Sequence, residues 1–310
     1  MIVRDDYIDA MRPTPTLRQL RYLTAVVDRC HFGQAAEDCL VTQSTLSAAI
    51  QELEELLGSP LLERTRRSVV PTALGRQIAE RARVLLKDAE DLVDLAQMAA
   101  EPMAGPLHLG VIPTIGPFLL PRVMSRLRTT FPRLQVYLRE DQTARLLDQV
   151  TAGTLDAALI ALPYKLGDLA VMDIAADGFA VVCPPEHRLC QCVPVRPADM
   201  APEDLLLLED GHCLRDHVLT ACDLEGARRN VAFQGTSLHT LVEMVANGLG
   251  VTLVPQMALD AGILRGMDLQ AVPLDVAAGR RIGLVRRRAS ARRETIERVG
   301  AVLRDAMGVG

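Results

Sequence analysis

The stretch His31-Phe-Gly-Gln-Ala-Ala-Glu-Asp-Cys-Leu-Val-Thr-Gln-Ser-Thr-Leu-Ser-Ala-Ala-Ile-Gln51 decides the fold of the N-terminal part of this chain. Its apolar spacing predicts two short helices joined by a tight turn. Phe32, Ala35, Ala36 and Cys39 form the inward face of the first. Thr42 is suited to cap the second, whose inward face is Leu46, Ala49, Ile50 and Leu53. The small side chain of Ala36 permits the close helix crossing that a helix-turn-helix requires. The outward face carries Gln43, Ser44, Thr45, Ser47 and Ala48 beside Thr42. Such short polar groups can reach base edges and phosphates in a major groove of double-stranded DNA.

Upstream, Leu17, Leu20, Leu23, Ala25 and Val27 have helical spacing and predict a preceding helix. Downstream, Leu61 to Thr72 reads as a β-hairpin wing with Arg64, Arg66 and Arg67 at its tip, suited to phosphate or minor-groove contact. This winged helix-turn-helix spans residues 12–72. A long helix follows over 73–100. Ile78, Ala82, Leu85, Ala89, Leu92, Ala96 and Ala99 alternate by four and three residues, a heptad seam that predicts pairing with a second copy. Glu101-Pro-Met-Ala-Gly-Pro106 reads as a linker.

From Leu107 the chain alternates strand and helix to its end, which predicts an α/β domain over 107–310 with a parallel sheet. Strands are expected at Leu107–Pro113, Leu134–Arg139, Leu155–Ala161, Phe179–Cys183, Val251–Pro255 and Arg281–Arg286. Helices are expected at Phe118–Thr130, Thr143–Ala152 and Ser290–Met307. The late return strand fits a two-lobed domain, lobe I being 107–178 with 280–310 and lobe II 179–279. Sensing chemistry belongs in the cleft between such lobes. No GxGxxG or Walker sequence supports nucleotide binding, and no cofactor or metal is expected.

The whole chain carries a formal charge of −5, and its first 72 residues hold eight Arg or Lys against ten Asp or Glu. Only the contact face of a DNA binder must be basic, so this balance counts against non-specific affinity rather than against DNA. The acidic N-terminus is no signal peptide, and no apolar run is long enough for a membrane span. A cytoplasmic location is expected. The seven cysteines are odd in number and suit a reducing compartment rather than a disulfide framework. Cys30, Cys39 and Cys183 read as thiols without a role, and Cys190-Gln-Cys192 lacks the CxxC spacing of a redox or zinc motif.

In this order, a winged helix-turn-helix, a paired helix and a two-lobed α/β domain resemble the LysR-type transcriptional regulators. Ala35-Ala-Glu, Thr42-Gln-Ser-Thr-Leu-Ser and Leu61-Leu-Glu-Arg look like that family's most characteristic stretches. Ser44 stands where Pro is frequent in the family, and Gln51 where a basic residue is common. Within the family the chain is most similar to its OxyR-like peroxide sensors. That similarity rests on Leu208-Glu-Asp-Gly-His-Cys-Leu-Arg-Asp216 followed by Cys222, on Gly110 to Pro121, on Asp141-Gln-Thr143 and on Arg280-Arg-Ile-Gly-Leu-Val285.

The resemblance implies a regulator, not an enzyme, whose partners are promoter DNA, hydrogen peroxide, RNA polymerase, a cellular thiol reductant and further copies of itself, as a homodimer or homotetramer. It implies that Cys213 attacks peroxide, that Cys222 resolves the sulfenic acid as a disulfide, and that Thr114 and Thr143 help hold the peroxide. The residues agree. Asp210 is a plausible N-cap that puts Cys213 in the first turn of a helix, where free N–H groups favour a negative sulfur. His212 and Arg215 add donors or positive charge, while Asp216 opposes them unless Arg215 occupies it. In an unbroken helix, nine steps separate Cys213 from Cys222 by roughly 13 Å, on opposite faces. A disulfide needs Cα atoms within about 7 Å, so bridging must refold the segment. For Thr114 and Thr143 an ordinary helix-capping role stays open. Two other functions do as well: a LysR-type regulator that binds a metabolite between the lobes, with Cys213 only lining the cleft, and a thiol peroxidase with a DNA-binding appendage. The second has no thioredoxin-like CxxC in its favour.

Overall fold

The computed structural model describes residues 14–64, 69–100, 103–209, 211–221, 235, 237–275 and 279–308. Two compact units divide the chain, one up to Val93 and one from Asp94.

The N-terminal unit holds α1 (Leu17–Arg29), α2 (Phe32–Asp38), α3 (Gln43–Leu57), β1 (Leu62–Arg64), β2 (Val69–Pro71) and most of α4 (Ala73–Ala100). Thr42 caps α3, its Oγ1 accepting the Thr45 N–H at 3.2 Å. Leu23, Val26, Leu46, Ile50, Leu53 and Leu61 are fully buried in one core with Ala35 and Ala36. Each such aliphatic side chain contributes about 1.5–3 kcal/mol by leaving water. On α1 the inward stripe is Leu20, Leu23 and Val26, the expected Ala25 and Val27 pack against the same core only partly buried, and Leu17 is half exposed. Steps of three keep one helix face, so Leu20 and Leu23 continue to Val26. The wing is fastened from α3, where Glu54 Oε1 accepts the N–H groups of Leu61 (2.8 Å) and Leu62 (3.1 Å). β1 and β2 then pair antiparallel. Arg66 and Arg67 lie outside the described residues.

Helix α4 starts against this wing. Gly75 is in its first turn, and a Cβ there would stand 2.0 Å from the Leu61 carbonyl oxygen. Gly75→Ala must therefore push α4 off the wing. We expect it to destabilise the N-terminal unit by about 1–3 kcal/mol, read as a lowered denaturation midpoint. Of the expected seam, Ala82 is buried, whereas Leu85, Leu92 and the neighbouring Val93 are 53%, 71% and 58% exposed.

The second unit runs β3 (Gly105–Val111), α5 (Gly116–Thr130), β4 (Leu134–Glu140), α6 (Thr143–Ala152), β5 (Ala157–Leu162) and β6 (Leu169–Cys183). A 3-10 turn (Arg188–Gln191) and α7 (Pro197–Met200) follow, then α8 (Cys213–Ala221), α9 (Leu238–Ala246), β7 (Thr252–Pro255), α10 (Gln256–Asp260), β8 (Gln270–Pro273), β9 (Gly279–Arg287) and α11 (Arg293–Gly308). Sheet order is β4-β3-β5-β9-β6-β7, with β8 on β6. β3 pairs parallel with β4 and β5, but β9 is antiparallel to both β5 and β6, and β7 and β8 are antiparallel to β6. The sheet is mixed, which corrects the expected parallel one. The return strand enters from the far half of the domain, and that reverses its direction.

Two further corrections concern boundaries. Gly105 and Pro106, read as linker, already pair with β4. The strand read at Phe179–Cys183 is only the end of the 15-residue β6. Its first part, with Asp173 and Asp177, has no apolar alternation to signal a strand. Those carboxylates are matched by Arg281 and Arg280 on β9, a cancellation that only pairing supplies. Among the described residues, no helix is long and apolar enough to cross a membrane.

Candidate functional site

Three helix starts converge beside the sheet. α5 begins just after Thr114, Thr143 is the first residue of α6, and Cys213 is the first residue of α8. The first turn of a helix presents unpaired N–H groups and the positive end of its dipole, so this junction favours a negative atom. Gly211 makes the approach possible. Its φ of +95° suits glycine, and a Cβ would stand 3.1 Å from Gln142 Nε2.

Between these segments lies a cavity of about 10 Å³ walled by Thr114, Gln142, Thr143, Gly211, His212 and Cys213. That is room for about one water-sized molecule. Cys213 is 7% exposed and Thr143 is 1% exposed. Thr143 Oγ1 is buried without a hydrogen-bond partner. A buried orphan hydroxyl costs about 1–3 kcal/mol. It has one donor and two lone pairs to offer whatever enters the cavity.

Thr114 is held differently. Arg280 Nη1 donates to its Oγ1 at 2.7 Å and Nη2 to its carbonyl at 2.8 Å. The guanidinium takes a lone pair of the hydroxyl and leaves the O–H free to donate elsewhere. Arg280 is itself fixed by Asp177, whose Oδ2 accepts from Nε at 3.0 Å while Oδ1 accepts the Met257 N–H at 2.9 Å. Both side chains of this ion pair are fully buried. Neither threonine is an N-cap: those positions are Ile115 for α5 and Gln142 for α6.

Four of the expected residues, Thr114, Thr143, His212 and Cys213, thus wall one cavity. His212 is buried, its Nε2 3.8 Å from Glu209 Oε1. Arg215 and Asp216 follow on α8 outside that wall. Two helical steps carry Arg215 to another face, and Asp216 is exposed. Asp210 and Cys222 lie outside the described residues. α8 is unbroken from Cys213 to Ala221. One turn beyond Cys213, His217 Nε2 meets the Pro163 carbonyl at 3.1 Å, and burial pushes this imidazole below its ordinary pKa. On α3, Thr42, Gln43, Ser44 and Thr45 are exposed and Ser47 half-buried, with the Thr42 hydroxyl 3.0 Å from that of Ser44 and 2.8 Å from that of Thr45.

Sequence reasoning missed Asp177, Gly211 and Gln142, and it gave Arg280 no role. A signal for Arg280 was present. It shares the strand phase of Ile282 and Leu284, which places it on a buried face where an arginine needs a partner.

Residues 17–76 match the family described as bacterial regulatory helix-turn-helix protein, lysR family. Residues 100–308 match the LysR substrate binding domain. The chain is 41% identical over 281 residues to the HTH-type transcriptional regulator EstR of Acinetobacter baylyi, covering 90% of this chain and 93% of that one. It is 40% identical over 293 residues to the DNA-binding transcriptional dual regulator OxyR of Escherichia coli, covering 94% and 95%. Among solved structures, a cysteine-to-aspartate variant of full-length OxyR from Pseudomonas aeruginosa superposes with a TM-score of 0.79 at 33% identity, covering 94% of this chain and 95% of that one. An H2O2-bound cysteine-to-serine mutant of Corynebacterium glutamicum OxyR superposes with a TM-score of 0.65 at 34% identity, covering 96% and 94%. A helix-turn-helix with its wing, the long α4 and the α/β unit thus occur together, in the order of these relatives, and the chain belongs to the LysR family of DNA-binding transcriptional regulators, which are not enzymes.

Proposed function

We propose that this regulator responds to hydrogen peroxide through Cys213. One observation carries this: a buried thiol and an unpartnered buried hydroxyl, that of Thr143, wall a cavity sized for one very small polar molecule. Cys213 attacks one peroxide oxygen, and the leaving oxygen takes a hydrogen bond from Thr114 or Thr143 as the O–O bond breaks. The resulting sulfenic acid is resolved by Cys222, and a cellular thiol reductant resets the disulfide. His212 walls the site, while Arg215 and Asp216 act through the charge of α8. In this scheme residues 12–72 bind promoter DNA, 73–100 pair two copies through the exposed Leu85 and Leu92, and 107–310 sense. Gln43, Ser44, Thr45 and Ser47 contact bases or phosphates, Thr42 caps their helix, and Arg64, Arg66 and Arg67 reach the backbone. In this reading the regulator works as a cytoplasmic homodimer or homotetramer that touches RNA polymerase.

The test is a peroxide titration with disulfide mapping and DNA footprinting on one sample. The footprint should change at the peroxide dose that oxidises Cys213. Thr143→Val separates ligand handling from structure. Because the hydroxyl is an orphan, the valine variant should be as stable as the parent or more stable, by up to about 2 kcal/mol, while Cys213 reacts at least tenfold more slowly with peroxide. A lowered melting point would make the hydroxyl structural.

A second reading has its own support. A cavity of about 280 Å³, lined in part by Pro113, Glu140, His212, Ser237 and His239, adjoins the first through Pro113 and His212. A small metabolite fits there, and the similarity to EstR is as high as that to OxyR. A footprint that ignores peroxide but shifts with an added organic ligand would select it.

A further inference from the structure

We propose that Cys183 and Cys190 form a second disulfide, a modification site for two-electron thiol oxidants such as hydrogen peroxide or an azodicarboxamide. Cys183 ends β6 and is fully buried, with its strand held on both sides by β7 and β8. The chain then turns back. His187 N–H donates to the Pro184 carbonyl at 3.0 Å, Cys190 N–H to the His187 carbonyl at 2.9 Å, and Leu189 is buried as the anchor. This turn sets the Cys190 sulfur 3.4 Å from that of Cys183. An S–S bond of about 2.05 Å needs only a small further approach. Cys192 is set apart, its thiol directed at the Arg188 carbonyl 3.6 Å away. None of these residues walls the Cys213 cavity, so the proposal stands whether or not Cys213 senses peroxide.

Cys190 is half-buried and meets the oxidant first. With peroxide, its thiolate attacks one oxygen, giving a sulfenic acid and hydroxide, which takes a proton to leave as water. The Cys183 thiol then displaces a second water as the S–S bond forms. The two sulfurs lose two electrons, and one peroxide becomes two waters. An azodicarboxamide takes the same two electrons, with both thiol protons, at its N=N bond. Burial, with the neighbouring Cys190 adding to it, pushes the Cys183 thiol up to about 12, so the closing step is slow at neutral pH and quickens as pH rises.

The test uses the full chain with Cys213→Ser and Cys222→Ser, treated with an azodicarboxamide, blocked with iodoacetamide and digested with trypsin. Cleavage after Arg188 separates the two cysteines, so the link joins two peptides in mass spectrometry. The expected result is a joined pair that survives Cys192→Ser and is lost in Cys190→Ser, a half-buried substitution that leaves the core in place. No joined pair in the folded chain, or a pair that persists in Cys190→Ser, overturns the proposal.

Discussion

Cys213→Ser is expected to abolish the peroxide response, with at least a hundredfold loss in the rate of peroxide consumption by the reduced chain and no change of DNA footprint. Cys222→Ser is expected to halt the reaction at sulfenic or over-oxidised Cys213. α8 runs unbroken from Cys213 to Ala221, so eight steps of about 1.5 Å put roughly 12 Å between their Cα atoms. Bridging to the next residue needs Cα atoms within about 7 Å, which the intact helix forbids. If Cys213 and Cys222 bridge as proposed, α8 must unwind, and amide hydrogen exchange across Leu214–Leu219 should rise sharply in the oxidised chain. Leu214, Val218 and Leu219 are buried in the core, and in the proposed switch this burial is what the disulfide must overcome. A 213–222 link formed with α8 protection unchanged would refute the switch. A peroxide-driven footprint in Cys213→Ser would refute the sensor.

The second large effect lies in the buried pair Asp177–Arg280. Removing one partner leaves the other charged, buried and uncompensated, a cost of about 3–5 kcal/mol. Asp177→Ala and Arg280→Met should each lower the melting temperature of the α/β unit by roughly 6–20 °C. The double variant Asp177→Val, Arg280→Met should recover most of the loss, because two apolar side chains bury no charge. Simple addition of the two losses would mean that the residues act separately. Arg280→Met also frees the Thr114 hydroxyl to turn, so peroxide should react more slowly with Cys213 at temperatures where this variant is still folded.

Much of the architecture is written in local pattern. Periods of three and four gave α3 and α4, Thr42 gave a cap, and the wing followed from its place after the second helix. α6 was read to its ends, Thr143 and Ala152, where the apolar stripe of Leu146, Leu147 and Val150 stops at Gly153 in the left-handed conformation. β6 was read only in its apolar half, since the other half is stabilised across the strand by Arg280 and Arg281. The sense of β9 was likewise invisible, because strand direction depends on which half of the domain the chain has just left. Within the candidate site the sequence marked individual side chains, and their assembly was not legible.

By itself, then, the sequence determined the helix pair, the long α4 and the family, since each rests on neighbours a few residues apart. Only the tertiary structure decided that Thr114, Thr143 and Cys213 share one cavity, that Thr143 has no partner there, and that Arg280 turns Thr114. Contacts between residues separated by 29 to 166 positions depend on how helix starts pack against a sheet, and no local periodicity encodes that.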